Sequence, residues 1–335
     1  MHMNHKLLTQ MDRRRLLAST LAASMAGVWT VTNVAASEWP DKPLRMLVGY
    51  PAGSGIDSVA RQLARQLEVY TGQVVIVDNR PGAFGNIAAQ AVAAASGDSN
   101  TLLFTPNSTH AANVHLFRKL PFDPVKDFTP VATVATLSFV LVCDPKAVDA
   151  THVTQLIQAI KREPGRWAYG TGNATGTVAG AMFKSQAGLD LLGVPYKGVP
   201  QAMTDLLGGR VQMVFADATL AIPLVRDGKL RALAVTGQRR MAALPQVPTM
   251  AESGLFGYNL TGWFAVFQSA GVPIKNNARM SALVQRALRE PSMVEFLRNI
   301  GAEPEPSTPE ELARRVIEDT ERWGRLVKLA GIEPE

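Results

Sequence analysis

The chain has 335 residues, of which 47% are hydrophobic and 19% charged, and its formal net charge is +6. That length suggests about two domains on the usual scale of roughly 150 residues each, with enough apolar residues to fill two cores. Loss of the first 36 residues would remove four basic side chains and Asp12, a net +3, leaving about +3 of the +6, too weak and too scattered for a nucleic-acid partner.

Taken in order, the chain opens on Lys6, Arg13, Arg14 and Arg15, then an apolar run from Leu16 to Trp29 and the small residues Val34-Ala35-Ala36. This succession is an export signal over residues 1–36, with cleavage expected near Ala36 and a periplasmic mature protein. The apolar run has 14 residues, short of the roughly 20 that a membrane span needs. Asp12-Arg13-Arg14-Arg15-Leu16-Leu17 fits a twin-arginine signal, and an ordinary secretory n-region is Arg-rich as well.

The next segment is the most informative. A strand over Leu44–Val48 runs into Gly53-Ser54-Gly55 and then into a helix whose Ile56, Val59, Ala60, Leu63, Ala64 and Leu67 share one face. Unpaired N–H groups and the positive dipole end at such a helix start favour an anion, phosphate or carboxylate. Gly55 is expected to be irreplaceable there, because a valine would block close approach and strain a loop that needs positive φ. Further strands are expected at 74–77, 102–104, 139–143, 167–169, 211–215 and 230–235, with helices between, the pattern of a mostly parallel sheet flanked by helices. Thr308-Pro309-Glu310-Glu311 opens a last helix with Leu312, Val316, Trp323 and Val327 inward.

Five strand ends deliver small polar residues into helix starts, at 52–57, 105–110, 170–177, 196–201 and 217–219. Ligands of open α/β sheets bind where such loops gather. The third loop contains Gly170, Gly172 and Gly176 but fits no nucleotide fingerprint: Thr175 stands at the last glycine of GxGxxG, Val178 at that of TGxxxGxG, and no Gly-Lys-Ser/Thr follows. No cofactor and no metal is expected. Cys143, the only cysteine, lies in an apolar run and reads as a buried small hydrophobe. There is no GxSxG or HExxH pattern, so the enzymatic alternative is an exported hydrolase using Ser108 or Ser54 with His110.

The stretches WPDKPLRMLVGYPAGSGIDSVAR, VIVDNRPGAFGNIAAQAVA, THAANVHLFRKLPFDPVKDFTPV, VPYKGVPQAMTDLLGGRVQMVFAD, GKLRALAVTGQRRMAALPQVPTMAESG and GAEPEPSTPEEL follow one another in this chain. In their order and spacing they resemble the substrate-binding receptors of the tripartite tricarboxylate transporter family, the Bug receptors, over nearly the whole mature chain. The resemblance implies an α/β fold of the two-domain periplasmic-binding-protein type (type II), not an enzyme, with each domain a mostly parallel sheet flanked by helices. Domain 1 would comprise 37–137 plus 262–335 and domain 2 138–261, joined by crossing strands at 138–143 and 261–268. It implies a monomeric receptor that closes on a small organic acid and delivers it to an inner-membrane permease; a receptor signalling to a sensor kinase is the variant reading.

Carried over by position, Ser54, Gly55 and Asp57 match the family's first loop and Asn107, Ser108 and Thr109 its second. Gly170, Thr171, Asn173 and Thr177 approximate the third, Tyr196, Lys197 and Gly198 form the PYKG segment, and Asp217 is the acidic position after the next strand. The third loop is about two residues shorter than the family pattern and lacks a histidine before its helix. Physically, the acid should be held by N–H groups at the helices after Gly55 and Thr177, with Ser108, Thr109 and Tyr196 adding side-chain bonds. Lys197 is the only cation in the five loops, and Asp217 would repel a carboxylate and welcome a hydroxyl, amide or amine.

Overall fold

A computed structural model describes residues 39–334; the export segment expected over residues 1–36 lies outside the described residues. The first unit is as the periodicity predicts. Strand β1 (Leu44–Val48) leads into α1 (Gly55–Thr71), and the six apolar residues of the expected face are all buried. The chain continues through β2 (Val75–Asn79), α2 (Asn86–Ala93), β3 (Thr101–Pro106), a π-helical turn (Ser108–Ala112) and α3 (Asn113–Leu116) into β4 (Phe128–Cys143). Then follow α4 (Val153–Arg162), β5 (Ala168–Thr171), α5 (Ala174–Ala187), β6 (Leu192–Pro195), α6 (Val199–Leu207), β7 (Met213–Asp217), α7 (Ala218–Arg226) and β8 (Arg231–Val235). Strand β9 (Thr261–Ser269), α8 (Ile274–Ala287), α9 (Pro291–Asn299), β10 (Ala302–Pro304) and α10 (Pro309–Leu329) complete the described chain.

The strands run β2-β1-β3-β9-β4-β7-β5-β6, with β8 and β10 also on β4. The sheet is mixed rather than mostly parallel. Pairing is parallel within the β-loop-α repeats, β1 with β2 and β3 and β5 with β6 and β7, where a helix returns the chain. It is antiparallel wherever β4 or β9 takes part. Strand β4 changes company midway: Phe128 to Ser138 pair with β9, whereas Phe139 to Cys143 pair with β7 and β8. The stretch 261–268 is a strand as expected, but every partner of β9 lies in β3 or the first half of β4, so it runs inside the first half of the sheet.

Alternation along the strands puts apolar side chains on both faces. Leu102 and Phe104 face α1 and α8, while Leu103, Ala265 and Phe267 face α2 and the start of α10. In the other half, Leu141, Cys143 and Phe215 meet α4 and α5, while Val140, Val142 and Val214 meet α6 and α7. Helix α10 serves both halves, since its Leu312 and Val316 pack in the first and its Trp323 and Val327 in the second. Its start is the expected one, with Thr308 and Glu311 forming a reciprocal capping box. Cys143 is fully buried and its thiol is pushed up to about 11, mainly by burial, so it is inert. Among the described residues no helix is long and apolar enough to cross a membrane.

Candidate ligand site

The carboxyl ends of the strands from both halves converge on one cavity. Each of the five loops contributes to its wall: Ser54 and Ile56, then Pro106, Asn107 and Ser108, then Asn173 and Thr175, then Val199, and finally Asp217. Tyr50, Leu137, Phe139 and Phe264 complete it. No lysine, arginine or histidine lines this space.

The two halves touch across it. A Cβ on Gly55 would come 2.0 Å from Thr219 Oγ1 and 3.3 Å from Asp217 Cβ, so the first turn of α1 lies directly against that of α7. Helical geometry leaves the N–H groups of Gly55, Ile56 and Asp57 without intrahelical acceptors, and the Ser54 side chain does not cap them. The positive ends of α1 and α7 therefore face one another. Ser54 Oγ and Asn107 Nδ2 line the cavity, are buried, and have no hydrogen-bond partner in the protein. Asn107 Oδ1 accepts the N–H of Trp263 at 3.3 Å. Ser108 Oγ and the Tyr50 hydroxyl lie 2.9 Å apart, and Tyr50 Oη is 3.1 Å from the Phe84 carbonyl, to which it donates.

Several expected contacts are spent elsewhere. Asp57 is buried under its own helix: Arg61, Asn79 and the Gly53 N–H all donate to its carboxylate, at 2.9 to 3.0 Å. Burial works to raise its pKa, but these donors outweigh it and hold the carboxyl below its ordinary value. Thr109 turns away, its hydroxyl 2.5 Å from that of Thr105 and 3.0 Å from His110 Nδ1. Tyr196 donates its hydroxyl to Asp205 at 2.8 Å, on the outer side of α6, so it does not reach the cavity. Gly170 and Thr171 lie in β5, where a Cβ on Gly170 would meet Ala202 and Val214, and the Thr171 carbonyl accepts the Tyr196 N–H at 2.7 Å. Lys197 is exposed, and Gly198 is the N-cap of α6, packed against the Pro51 ring.

The third helix starts earlier than expected, at Ala174 rather than after Thr177. Asn173 caps it by accepting the Gly176 N–H at 2.7 Å, and Thr177 donates its hydroxyl back to the Asn173 carbonyl. The left-handed residue of the first loop is Gly53, with φ of +78°, not Gly55. Gly55 needs to be glycine because of Thr219, a contact between distant parts of the chain.

Asp217 is 7% exposed, and burial pushes its carboxyl up to about 7, against a small opposing effect of the Asn173 amide 3.3 Å away. The expected repulsion of a carboxylate thus belongs only to its ionised form. His110 is not a base for Ser108. Its ring is stacked on Phe267 at 3.8 Å, and burial lowers its pKa to about 3. Its Nδ1 contacts Thr109, whereas Ser108 bonds Tyr50, so the serine–histidine pair of the hydrolase reading is not formed. Ser54 makes no hydrogen bond through its hydroxyl to any histidine.

Residues 59–332 match the tripartite tricarboxylate transporter family receptor. The chain is 33% identical to protein BugT of Bordetella pertussis over 325 residues, covering 96% of this chain and 99% of that protein. Among solved structures it is similar to Rpa4515 of R. palustris with adipate, at a TM-score of 0.86 and 34% identity over 89% of this chain and 100% of that one. It is also similar to MatC from Rhodopseudomonas palustris with bound malate, at a TM-score of 0.81 and 29% identity over 86% and 100% of the two chains. The chain belongs to the receptor family of the tripartite tricarboxylate transporters.

Proposed function

We propose that this protein is an exported, periplasmic solute receptor that captures a small organic acid between two closing domains and delivers it to a permease of the tripartite tricarboxylate type. In this reading the domains are residues 37–137 plus 262–335 and residues 138–261, and the exchange of β9 for β7 and β8 along β4 supports the division. One observation carries the reading: the facing starts of α1 and α7 share a cavity with the partnerless Ser54 Oγ and Asn107 Nδ2 and with no cationic side chain. Uncapped N–H groups at two helix starts supply several donors and a favourable field without a counter-ion. Each charge-assisted bond to a carboxylate is worth about 1.5 to 3 kcal/mol. Solved relatives that hold adipate and malate support the chemical class.

Ser54, Gly55, Asn107, Ser108, Asn173 and Asp217 are the proposed contacts; Thr175 and Tyr50, which also line the cavity, and Thr219, which lies against Gly55, are proposed with them. The apolar walls Ile56, Leu137, Phe139, Val199 and Phe264 hold the hydrocarbon part of the acid and exclude water. Thermal melts against aspartate, glutamate, citrate, terephthalate, adipate, malate and nicotinate test this. An acid at a hundredfold excess over Kd stabilises the protein by about 2.7 kcal/mol. A panel without any shift, alongside shifts with sugars or cations, refutes the acid reading.

A further inference from the structure

Asp217 is the N-cap of α7, where an aspartate ordinarily turns back onto the N–H groups of the first helical turn. It makes no such bond and instead meets Asn173 Nδ2. The Asn173 amide cannot reverse, because its oxygen is held by the Gly176 N–H. The carboxyl therefore points into the cavity with one neutral donor beside it. The groups around it are uncharged on every side: Ser54 before α1, Ser108 after β3, Asn173 before α5, Thr219 on α7 and Phe139 on β4. Tyr50 is the other ionisable residue of the wall, and burial raises its phenol above the ordinary value, so it stays neutral.

We propose that Asp217 sets which acids the cavity accepts by changing its own charge, donating as a carboxylic acid to the second carboxylate of a plain diacid and accepting as a carboxylate from an ammonium or hydroxyl. This rests on the acid-receptor reading above. Two carboxylates side by side in a dry cavity repel strongly, and one proton shared between them removes that repulsion. A diacid dianion is then bound together with one proton taken from solvent, which sits on Asp217 and forms an O–H···O⁻ bond to the ligand. Because burial already brings the Asp217 carboxyl to about 7, that proton is readily available near neutral pH. An ω-amino acid of the same length needs no proton, and it expels one where Asp217 carried it.

The test is calorimetric titration of wild type and Asp217→Asn with adipate and with 6-aminohexanoate, from pH 6 to pH 8.5, in buffers of different ionisation enthalpy. With a carboxyl titrating at about 7, the adipate Kd of the wild type should weaken about thirtyfold over that range, with uptake of up to one proton. The Kd for 6-aminohexanoate should tighten about tenfold, with proton release. Asp217→Asn, neutral throughout, should bind adipate equally at both ends of the range and lose the amino acid. Adipate binding that does not vary with pH in the wild type overturns the role of Asp217 and leaves the receptor reading intact. If neither compound binds either protein at any pH while the melting panel finds another acid, the same pH series is run with that acid, and a flat profile overturns the proposal. If no acid binds at all, the receptor reading fails and the inference falls with it.

Discussion

Gly55→Val tests whether the contact between α1 and α7 belongs to the ligand-bound state. The Cβ alone would stand 2.0 Å from Thr219 Oγ1, 3.1 Å from Thr219 Cβ and 3.3 Å from Asp217 Cβ. A threonine rotamer change relieves the first of these distances but not the other two, and the valine methyl groups reach further still. Separating the helices to ordinary contact forces the cavity open, a steric cost of about 1 to 3 kcal/mol for overpacking. In affinity this is roughly a 5- to 150-fold rise in Kd. Gly55 has no left-handed φ and begins α1, so the unliganded fold should keep its stability. Gly55→Ala should weaken binding less, and Gly55→Ala with Thr219→Gly should recover most of it, because only the 3.3 Å contact with Asp217 remains. Calorimetric titration with any acid that stabilises the wild type, with circular dichroism as the folding control, reads the result. Wild-type affinity in Gly55→Val would show that the two helix starts do not meet around the ligand.

Asp217 also links stability to pH. Its folded pKa, about 7, is raised above the unfolded value of 3.8, so its contribution is fully present below about pH 3.8 and is lost as pH rises through about 7. Between pH 4.5 and 8 the loss is on the order of 3 kcal/mol, and urea denaturation over that range should find it in the wild type and not in Asp217→Asn. Removing a hydroxyl at Ser54 or Ser108 should weaken acid binding only about two- to twelvefold, measured by titration at fixed pH. Thr308→Ala should lower stability by about 1 kcal/mol through loss of the α10 cap, leaving affinity unchanged. His110→Ala should cost about 2 to 4 kcal/mol by hollowing the aromatic cluster, while the folded fraction still binds acid with unaltered affinity.

How legible these features were depended on whether their causes are local. Helices α1 and α10 could be read because their faces repeat with helical period and their first turns carry their own punctuation. Strand β4 was half legible. Phe139 to Cys143 is an unbroken apolar run, but Phe128 to Ser138 carries Thr129, Pro130 and a shifted register, which break the strand pattern locally. Strand β6 is short and largely exposed and ends in a proline, so little distinguishes it from a loop.

All five expected loops reach the cavity, yet the individual residues sort by partners far away in sequence. Tyr196 is claimed by Asp205 and Asp57 by Arg61 and Asn79. The requirement for glycine at 55 comes from Thr219, which no local pattern shows. Leu137, Phe139 and Phe264 look like ordinary strand core. They become cavity wall only because β4 and β9 pair beneath the loops.

Native mass spectrometry of the protein purified without denaturation tests the central claim most directly, since it requires no guess about the ligand. The expected result is one organic acid per chain, retained in the gas phase, released chemically unchanged on denaturation and present at lower occupancy in Gly55→Val. A protein that carries no acid and takes up none from the panel, or that returns the compound chemically altered, contradicts the account.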